Sequence, residues 1–542
     1  MTERMAKDKI KGLRLRDRVR LYGVPLAARL GHRMGWSWEE VGAKLGREAL
    51  IGQVRHLNGV STPDGASERL DIIFATFQGM NQHVVSVDLI LARALKLRGH
   101  RVRFVLCDQV LPLCQTKHAG YENKWETFCS QCYGFARQYL EGAGFEVLRF
   151  SELMEDDPQP SDRWNTYVES ALLKHYRVGT LDETADVIQR RGMFRQTAAV
   201  SASVGRRLVA MKPDRVLMSH GLYCTWGPAR ETLLEGGIPV ITSGPGKKKD
   251  TITLNWSVSA DNWDVSNEWK HVKDRPLTEE QERTLDTYLQ SRRSHDQDSR
   301  VYNFGKEESI EETKIRLRLD ADKLTFTLFT NVLWDAASAQ REIAFSNPVE
   351  WVIETIRWFK DHPDKQLIVK IHPAEVVIGT KQPFAEVINR QIETLPANVR
   401  LIEPQEKVNS WSIMKVTDLG IVHTSTVGME LPLENVPCLV VSRTHYRDKG
   451  FTVDVEDREA YFDAINNWDG TAIDQERMRA LARRYAYLLF ERYQLPFPFT
   501  FETGLYDVRA LKDITPAVLL NHPTIRMVTQ AIESKSAILM PA

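Results

Sequence analysis

The sequence has no long hydrophobic run and no excess of either charge. No stretch approaches the roughly 18 apolar residues that span a bilayer, so no membrane-spanning helix is predicted. The first 20 residues lack an apolar core, so we expect no secretory signal. The 72 basic side chains balance 72 acidic ones, which argues against nucleic-acid binding through bulk charge. Six cysteines in 542 residues do not make a disulfide scaffold, and a cytoplasmic protein is expected.

Two common nucleotide-site motifs are also missing. No Gly-x-Gly-x-x-Gly follows a predicted strand, so the dinucleotide fingerprint is absent. No Asp-x-Asp pair stands at a predicted strand end, so we expect catalysis to require no metal and no cofactor. Repeats of fixed period and low-complexity tracts are absent as well. The length and the 42% hydrophobic content are those of a globular protein with two or three domains.

The first patterned region alternates strands and helices. Residues 71–76 predict a buried strand, residues 83–98 an amphipathic helix, and residues 101–106 the next strand. This βαβ unit predicts a parallel sheet with a right-handed crossover, and residues 213–219 predict a further strand. Ligand clefts lie at the carboxyl ends of such strands. The side chains expected to line one are Gln78, Asn81, His83, His220 and Tyr223.

Four cysteines follow the second strand: Cys107, Cys114, Cys129 and Cys132. Four thiolates could hold a structural zinc ion tetrahedrally, and the last two have finger-like Cys-x-x-Cys spacing. The same residues also suit four ordinary, partly buried cysteines, or a redox Cys-x-x-Cys pair. The sequence leaves these three interpretations open.

The strongest functional pattern lies between residues 367 and 454. A predicted strand ends in His372-Pro373, and a later one leads through Ser425 and Thr426 into a short helix. Turn hydroxyls and free backbone N–H groups at a helix start make an anion site, and Gly428 lets the chain approach a ligand closely. The purely structural alternatives are a strand-end turn at His372 and an ordinary helix cap at Ser425-Thr426.

Three segments of this stretch, KIHPAE, HTSTVGMELPLENVPCLVV and RTHYRDKGFTVD, resemble the capsular polysaccharide biosynthesis proteins. These are glycosyltransferases of the GT-B kind, and they include transferases of the acidic sugar Kdo from CMP-Kdo. The resemblance covers residues 370–454, is weaker over 324–335, and becomes diffuse before about residue 320. The His-Pro and Ser/Thr pairs are also similar to those of bacterial sialyltransferases, which use CMP-sialic acid.

The resemblance implies an α/β fold in which two Rossmann-like βα domains face a cleft. An N-terminal helical extension and C-terminal helices would flank them, the latter packing back on the first domain. The expected parts are a basic extension (1–65), an acceptor domain (66–260), a helical connector (261–320), a nucleotide-sugar-binding domain (321–495) and C-terminal helices (496–542). The basic extension suits either contact with an anionic membrane or packing on the body of the protein.

Residue chemistry and the resemblance together predict the site. The nucleotide and phosphate would be bound by Lys370, His372, Pro373, Ser425, Thr426, Gly428 and Glu430. In the resemblance, Glu430 corresponds to a carboxylate that binds the ribose, and His372 to a histidine that contacts the CMP phosphate and acts as acid toward the leaving group. An acidic donor or a phosphorylated acceptor would be bound by Arg443, Tyr446, Arg447 and Lys449, with Lys370. Taken singly, most of these charges also suit a solvated surface.

The acceptor base is expected from the first domain, where GT-B enzymes commonly place it. His220 is the first choice, His83 the second and Asp108 the third, because the pKa of a histidine lies near the working pH. Each of them also suits a structural role.

We therefore expect a glycosyltransferase of capsule or surface polysaccharide biosynthesis, cytoplasmic or peripheral at the inner membrane. It would transfer Kdo from CMP-Kdo to a glycan or glycolipid acceptor and bind no nucleic acid. The alternatives are a CDP-polyol phosphotransferase of the teichoic-acid type, a UDP-sugar transferase or epimerase, and an inactive scaffold in polysaccharide export.

Overall fold

The computed structural model describes residues 69–79, 82–117, 122, 125–294, 296–298, 305–335, 340–470, 473–499 and 514–541. The predicted N-terminal extension and Asn81 lie outside the described residues. His83 belongs to a described helix, but its side chain is outside the described part. No helix within these ranges has the length and apolarity to cross a membrane.

The first half of the chain alternates strands and helices. Its strands are β1 (Asp71–Phe77), β2 (Arg101–Leu106), β3 (Glu146–Arg149), β4 (Arg215–Ser219), β5 (Val240–Pro245) and β6 (Thr251–Trp256). Its helices are α1 (Gln82–Leu97), α2 (Trp125–Gly142), α3 (Phe150–Leu153), α4 (Asn165–Tyr176), α5 (Ala185–Met211), α6 (Tyr223–Glu235), α7 (Ser266–Val272) and α8 (Glu279–Ser294).

The second half repeats the alternation. Its strands are β7 (Thr325–Phe329), β8 (Gln366–Lys370), β9 (Val399–Ile402), β10 (Leu419–Val422), β11 (Cys438–Val440), β12 (Val453–Asp454) and β13 (Leu495–Pro496). Its helices are α9 (Ile310–Leu317), α10 (Pro348–Lys360), α11 (Ala374–Ile378), α12 (Phe384–Gln391), α13 (Ser410–Met414), α14 (Val427–Leu433), α15 (Arg458–Asn466), α16 (Gln475–Tyr487), α17 (Pro516–Asn521) and α18 (Pro523–Ser534).

The two sheets share one strand order. The first runs β13-β6-β5-β4-β1-β2-β3 and is parallel from β5 to β3, with β6 and β13 added antiparallel at one edge. The second runs β12-β11-β10-β7-β8-β9 and is parallel throughout. Counted from the first strand of each unit, the order 3-2-1-4-5 is that of a Rossmann fold. Ligands bind such sheets where the order reverses, here between β1 and β4 and between β7 and β10.

Helices cover both faces of the first sheet, as the buried strands require. Alternate residues of β1 enter different cores: Phe74 packs with α1 and α2, whereas Ile73 packs with α5 and α6. In the second sheet, Leu328 packs with α10 and Phe329 packs with α14 and α16. The period of two in these strands therefore builds a core on each side of each sheet.

The C-terminal segment returns to the first sheet. Strand β13 pairs with β6, and side chains of α17 and α18 belong to the same core as α1. Arg215 Nε donates to the carbonyl of Ile532 at 2.8 Å, and Arg98 and His100 both contact Glu533. The domains also touch where the amides of Gly179 and Thr180 donate to Gln382 Oε1, at 2.9 and 3.0 Å.

Candidate active site between the two sheets

Three turns at the carboxyl edge of the second sheet are tied together. The amide of His372, after β8, donates to Thr330 Oγ1 at 3.0 Å. The amide of Thr424, after β10, donates to Asn331 Oδ1 at 3.1 Å. Thr330 and Asn331 both follow β7. The turns after β7, β8 and β10 therefore form one rim at the point where the strand order reverses.

His372 is oriented by its own turn. The amide of Ala374 donates to His372 Nδ1 at 3.1 Å, so the ring proton belongs on Nε2, which becomes a donor. Pro373 forms the turn into α11 with φ of −65°. Burial, helped by the charges of Lys247 and Lys370 and opposed by Asp335, lowers the pKa of His372 to about 4. At neutral pH the ring is therefore an uncharged hydrogen-bond donor.

The Ser425-Thr426 turn leads into α14. Ser425 Oγ accepts from the amide of Val427 at 3.3 Å, while Thr426 makes no side-chain capping bond. Because Ser425 Oγ only accepts in this turn, its hydroxyl proton and the Thr426 hydroxyl are both candidates to donate to a ligand. Below the turn, the fully buried Tyr446 donates its hydroxyl to the Ser425 carbonyl at 2.5 Å. In this structure Tyr446 supports the turn instead of lining the cleft.

Gly428 makes room for that support. A Cβ at this position would stand 2.5 Å from Tyr446 Oη and 2.7 Å from Val422 Cγ2. The sequence predicted that Gly428 lets a ligand approach the chain closely. The structure shows that a glycine is also needed here to make room for Tyr446.

Glu430 and its neighbour charges are engaged inside the protein. The buried carboxylate of Glu430 pairs with Arg292 of α8, which also binds Asp298 Oδ1 at 3.0 Å. Lys370 is buried at the end of β8, and desolvation lowers its pKa to about 8. A ribose contact by Glu430, as predicted, would therefore have to share this carboxylate with Arg292.

The basic residues after β11 divide into two kinds. Arg447 is buried, and its Nη2 donates to the Val455 carbonyl at 3.0 Å and to Glu456 Oε1 at 2.5 Å. Lys449 donates to Ser266 Oγ at 3.0 Å. Arg447 therefore holds its own loop, and Lys449 ties that loop to α7. Arg443 is exposed, and it is the member of this set that a ligand could reach directly.

The first domain contributes His220, directly after β4. Its backbone has φ of 64°, an uncommon conformation for a residue other than glycine. The amide of His220 donates to the Ser243 carbonyl at 3.0 Å, and its carbonyl accepts from Ala260 at 2.8 Å. The ring stacks on Trp226 with 5.7 Å between centroids. Backbone strain that neighbours hold in place in this way is typical of functional sites.

Asp261 faces His220 and was not predicted. His220 Nδ1 and Asp261 Oδ2 are 3.3 Å apart, close enough for an ion pair but without hydrogen-bond geometry, and each side chain is 34% exposed. Neither atom has a hydrogen-bond partner among the described residues. Asp261 belongs to the segment that leaves the first domain after β6. Nothing local in the sequence marks it, because only the fold brings it to His220.

The charge of Asp335 acts on Tyr223 of the first domain and on His372 of the second. The Tyr223 hydroxyl is buried with no partner among the described residues. Burial, followed by the negative charges of Asp335 and Asp261, raises the pKa of Tyr223 well above its usual value. Asp335 also acts on His372. One carboxylate of the second domain thus lies near predicted site residues of both domains.

Other predicted residues lie around this centre. Gln78 is buried after β1, and its Nε2 has no partner among the described residues. Asp108 accepts from the amide and hydroxyl of Ser151, at 3.0 and 2.5 Å, and so holds the start of α3. Of these two candidates for the base, Asp108 is engaged by Ser151, whereas His220 lies beside the carboxylate of Asp261.

The cysteines lie beside the first sheet. Cys107, Cys114 and Cys129 are near enough to interact electrostatically. Cys132 Sγ accepts from the amide of Gly79 at 3.1 Å. Lys117 donates to the Leu111 carbonyl at 2.9 Å and to Cys129. In the part of the chain that the structure describes, no three His, Cys, Asp or Glu side chains are grouped as metal ligands, and the zinc site stays a prediction.

No protein-family model and no curated protein matches the chain. Similar solved structures include two transferases from Thermosulfurimonas dismutans. KpsC beta Kdo 2,4 transferase is 16% identical and covers 50% of this chain and 79% of its own, with a TM-score of 0.32. KpsC beta Kdo 2,7 transferase is 14% identical and covers 57% and 86%, with a TM-score of 0.31.

A co-structure of S. aureus MnaA with UDP is 13% identical and covers 79% of this chain and 94% of its own, with a TM-score of 0.30. The two Kdo transferases are of the kind that the motifs between residues 370 and 454 resemble. The fold is established by the strand orders of the two sheets. Two Rossmann-like domains facing a cleft, with a C-terminal segment that returns to the first, make this an α/β fold of the GT-B type.

Proposed function

We propose that this protein is a glycosyltransferase that moves a sugar from a nucleotide-sugar donor to a hydroxyl acceptor. The observations that carry the proposal are His220 beside Asp261 at a strand end of the first domain, and His372 with the Ser425-Thr426 turn at strand ends of the second. His220 with Asp261 suits a general base, and His372 with the Ser425-Thr426 turn suits the stabilisation of a leaving phosphate. The charge of Asp335 acts on both Tyr223 and His372, which supports the placement of the two sets of residues in one cleft.

The second-domain rim would stabilise the leaving phosphate. His372, whose ring is oriented by the Ala374 amide, and the Thr426 hydroxyl would donate to the phosphate oxygens. Donors aimed at developing negative charge are a large source of catalysis in a water-poor site. A bound phosphate would also raise the pKa of His372 from about 4. The same ring could then pass a proton to the leaving group.

The first-domain pair would activate the acceptor. Because Asp261 faces Nδ1, Nε2 of His220 is the nitrogen left to take the proton of an acceptor hydroxyl. Asp261 would then stabilise the imidazolium that forms, as the carboxylate does in a Ser-His-Asp triad. Glu430 and Lys370, which are both buried, would contribute to binding of the nucleotide and its phosphate.

We further propose CMP-Kdo as the donor and a glycan or glycolipid of surface polysaccharide as the acceptor. This finer assignment is supported by the motif resemblance between residues 370 and 454. A cytoplasmic location, with inner-membrane contact through the basic N-terminal residues, belongs to the same proposal.

Calorimetric titration of CMP, CDP, UMP and UDP tests the donor side. Thr426→Val keeps the shape of the side chain and removes the hydroxyl, and Ser425→Ala removes its neighbour. Each should weaken CMP binding by about 10- to 100-fold, because each lost bond is charge-assisted. His220→Ala is the matched control: it should leave CMP affinity within about twofold. A preference for UDP would move the donor to a UDP-sugar, and a wild type that binds no nucleotide would overturn the proposal.

Transfer from CMP-Kdo, followed as CMP release with an acceptor present, tests the acceptor side. His220→Ala should slow it by about 10²- to 10⁴-fold, the range of general-base catalysis. Asp261→Asn should slow it less. Release of CMP at the wild-type rate in His220→Ala would contradict the assignment of the base.

A further inference from the structure

The loop between β5 and β6 of the first domain carries three consecutive lysines that have no role in the steps above. Lys248 donates through Nζ to both carboxylate oxygens of Glu491 at 2.8 Å, and its Nζ lies 4.5 Å from the centroid of the Tyr288 ring. Lys249 donates through Nζ to the Asp296 carbonyl at 2.9 Å. Two of the three lysines are therefore engaged in contacts that hold the loop.

Lys247 is placed differently. Its side chain is exposed, and its Nζ lies 5.4 Å from the centroid of the Trp263 ring, a cation–π contact. Trp263 has φ of 45°, a rare conformation for a bulky residue and one that is typical of functional sites. Its ring lies 5.2 Å from the ring of His445, in the loop after β11. A cation of the first domain is thus held at the carboxyl edge of the second sheet.

The backbone that presents Lys247 is fixed. The amides of Lys247 and Lys248 both donate to Gln494 Oε1, at 2.6 and 2.9 Å. A Cβ at Gly246 would stand 1.9 Å from Thr251 Oγ1, so a larger residue there would displace Thr251. The direction in which Lys247 leaves the loop therefore follows from the packing of its neighbours.

The charge of Lys247 reaches the phosphate rim. Burial is the main reason that the pKa of His372 falls to about 4 and that of His445 to about 3, and the positive charge of Lys247 adds to both shifts. His372 follows β8, and His445 follows β11. The turns after β7 and β10, which complete the rim, lie between these two loops in the strand order. Lys247 therefore faces the rim from the opposite domain.

The rim needs a cation during the reaction. When the bond between the sugar carbon and the phosphate oxygen breaks, its electron pair stays on that oxygen, and the phosphate gains a negative charge. The acceptor oxygen takes its place on the carbon, and the acceptor proton goes to His220. His372 is uncharged at neutral pH, and the hydroxyls of the rim carry no charge. Lys370 is only 4% exposed, whereas a ligand can reach Lys247 directly.

We propose that Lys247 of the first domain binds the leaving phosphate across the cleft and is a further catalytic residue of the transfer. The proposal deepens the glycosyltransferase assignment and rests on it. The ligand group is the phosphate that joins the nucleoside to the transferred sugar. A lysine suits this role, because its ammonium is a compact charge on a flexible stem. Trp263 is the positioning residue that holds the ammonium before the phosphate binds.

The phosphate would then be bound from both domains. His372 and the turn hydroxyls contact it from the second domain, and Lys247 from the first. A nucleoside without a phosphate cannot make the contact with Lys247. The difference between a nucleotide and its nucleoside therefore isolates the contribution of this lysine.

Calorimetric binding of CMP and of cytidine to Lys247→Gln tests the proposal. The variant should bind CMP about 10- to 100-fold more weakly than wild type and cytidine within about twofold. Lys247→Arg keeps the charge and should recover most of the CMP affinity. Lys249→Gln is the matched control from the same loop and should bind both ligands like wild type. CMP release from CMP-Kdo with an acceptor present should slow about 10²- to 10³-fold in Lys247→Gln, as when an oxyanion donor is removed.

The other outcomes separate this proposal from the assignment of the function. Equal losses for CMP and cytidine would show that Lys247 shapes the cleft without contacting the phosphate, and would overturn the proposal. Wild-type CMP affinity and transfer in Lys247→Gln would overturn it as well. If the wild type prefers UDP, the same loss is expected for UDP against uridine. A phosphate-dependent loss in a protein that transfers no sugar keeps Lys247 as a phosphate ligand while the glycosyltransferase assignment fails. A wild type that binds no nucleotide overturns both.

Discussion

At the scale of single residues, the rim of the second domain depends on an internal contact between a glycine and a tyrosine. Gly428 leaves space for the Tyr446 hydroxyl, and that hydroxyl holds the Ser425 carbonyl. The conformation of the turn is therefore set from below. A change at Gly428 should act on stability and on nucleotide binding together.

Gly428→Ala should lower the free energy of unfolding by about 1–3 kcal/mol, the usual cost of overpacking a core. It should also weaken CMP binding, because Tyr446 must move. Urea denaturation and calorimetry measure the two effects.

Gly192→Ala is the matched control for that change. Gly192 lies inside α5, and a Cβ there would meet no atom within 4 Å. The variant should gain about 0.5–1 kcal/mol from helix propensity. Equal stability of the two variants would show that the space beside Tyr446 is not needed.

At the scale of elements, a buried carboxyl joins α1 to β1. Thr76 Oγ1, at the end of β1, donates to Asp88 Oδ2 at 2.5 Å. Burial raises the pKa of Asp88 to about 7, although the bond from Thr76 opposes the shift. Between its unfolded pKa of about 3.8 and about 7, the folded state holds a proton that the unfolded state has lost. Stability from this group is therefore present at low pH and is lost as pH rises toward 7.

Asp88→Asn should remove that loss. Asp88→Asn should gain at most about 3 kcal/mol of stability relative to wild type when the pH is raised from 5 to 8. About two pH units of this window lie below the folded pKa, and each corresponds to about 1.4 kcal/mol. Both the wild type and Asp88→Asn keep the part of the pH dependence that comes from Glu375, because burial also raises the pKa of that carboxyl to about 7. Urea midpoints at the two pH values measure the difference.

Asp156→Asn, at an exposed position, should leave the slope unchanged. A wild-type slope that is equally steep in Asp88→Asn would show that Asp88 is ionised in the folded protein at neutral pH.

At the scale of the whole molecule, the last residues of the chain complete the first core. Ile525, Val528 and Ile532 pack with residues of α1 and β1. Strand β13 extends the first sheet at the edge beside β6. The first domain is therefore built from both ends of the described chain, with the second domain inserted between them.

Ile532→Ala should destabilise the protein by about 2–5 kcal/mol, because Ile532 is fully buried and its truncation leaves a cavity. CMP affinity should be unchanged, since the nucleotide rim belongs to the other domain. Thermal denaturation with and without CMP measures both effects.

Ile315→Ala is the comparison for that prediction, because Ile315 is 78% exposed on α9. Its stability should stay within about 0.5 kcal/mol of wild type. An Ile532→Ala protein as stable as Ile315→Ala would mean that α18 is not part of the folding unit.

The sequence by itself determined the α/β fold class and the strand-end positions of His220, His372 and Ser425. Strands, helices and the turns between them follow from apolar periodicity and turn chemistry over a few residues, and parallel strands place their ends at one edge. Site residues that stand directly after a strand can therefore be found without a structure.

Only the tertiary structure decided which side chains meet. Asp261 reaches His220, Arg292 reaches Glu430, and Tyr446 lies under the turn rather than in the cleft. These contacts join segments far apart in the chain, and both burial and charge pairing depend on how whole elements pack. Local sequence patterns do not encode these contacts, because the same residue types at the same spacing also occur on solvent-exposed surfaces.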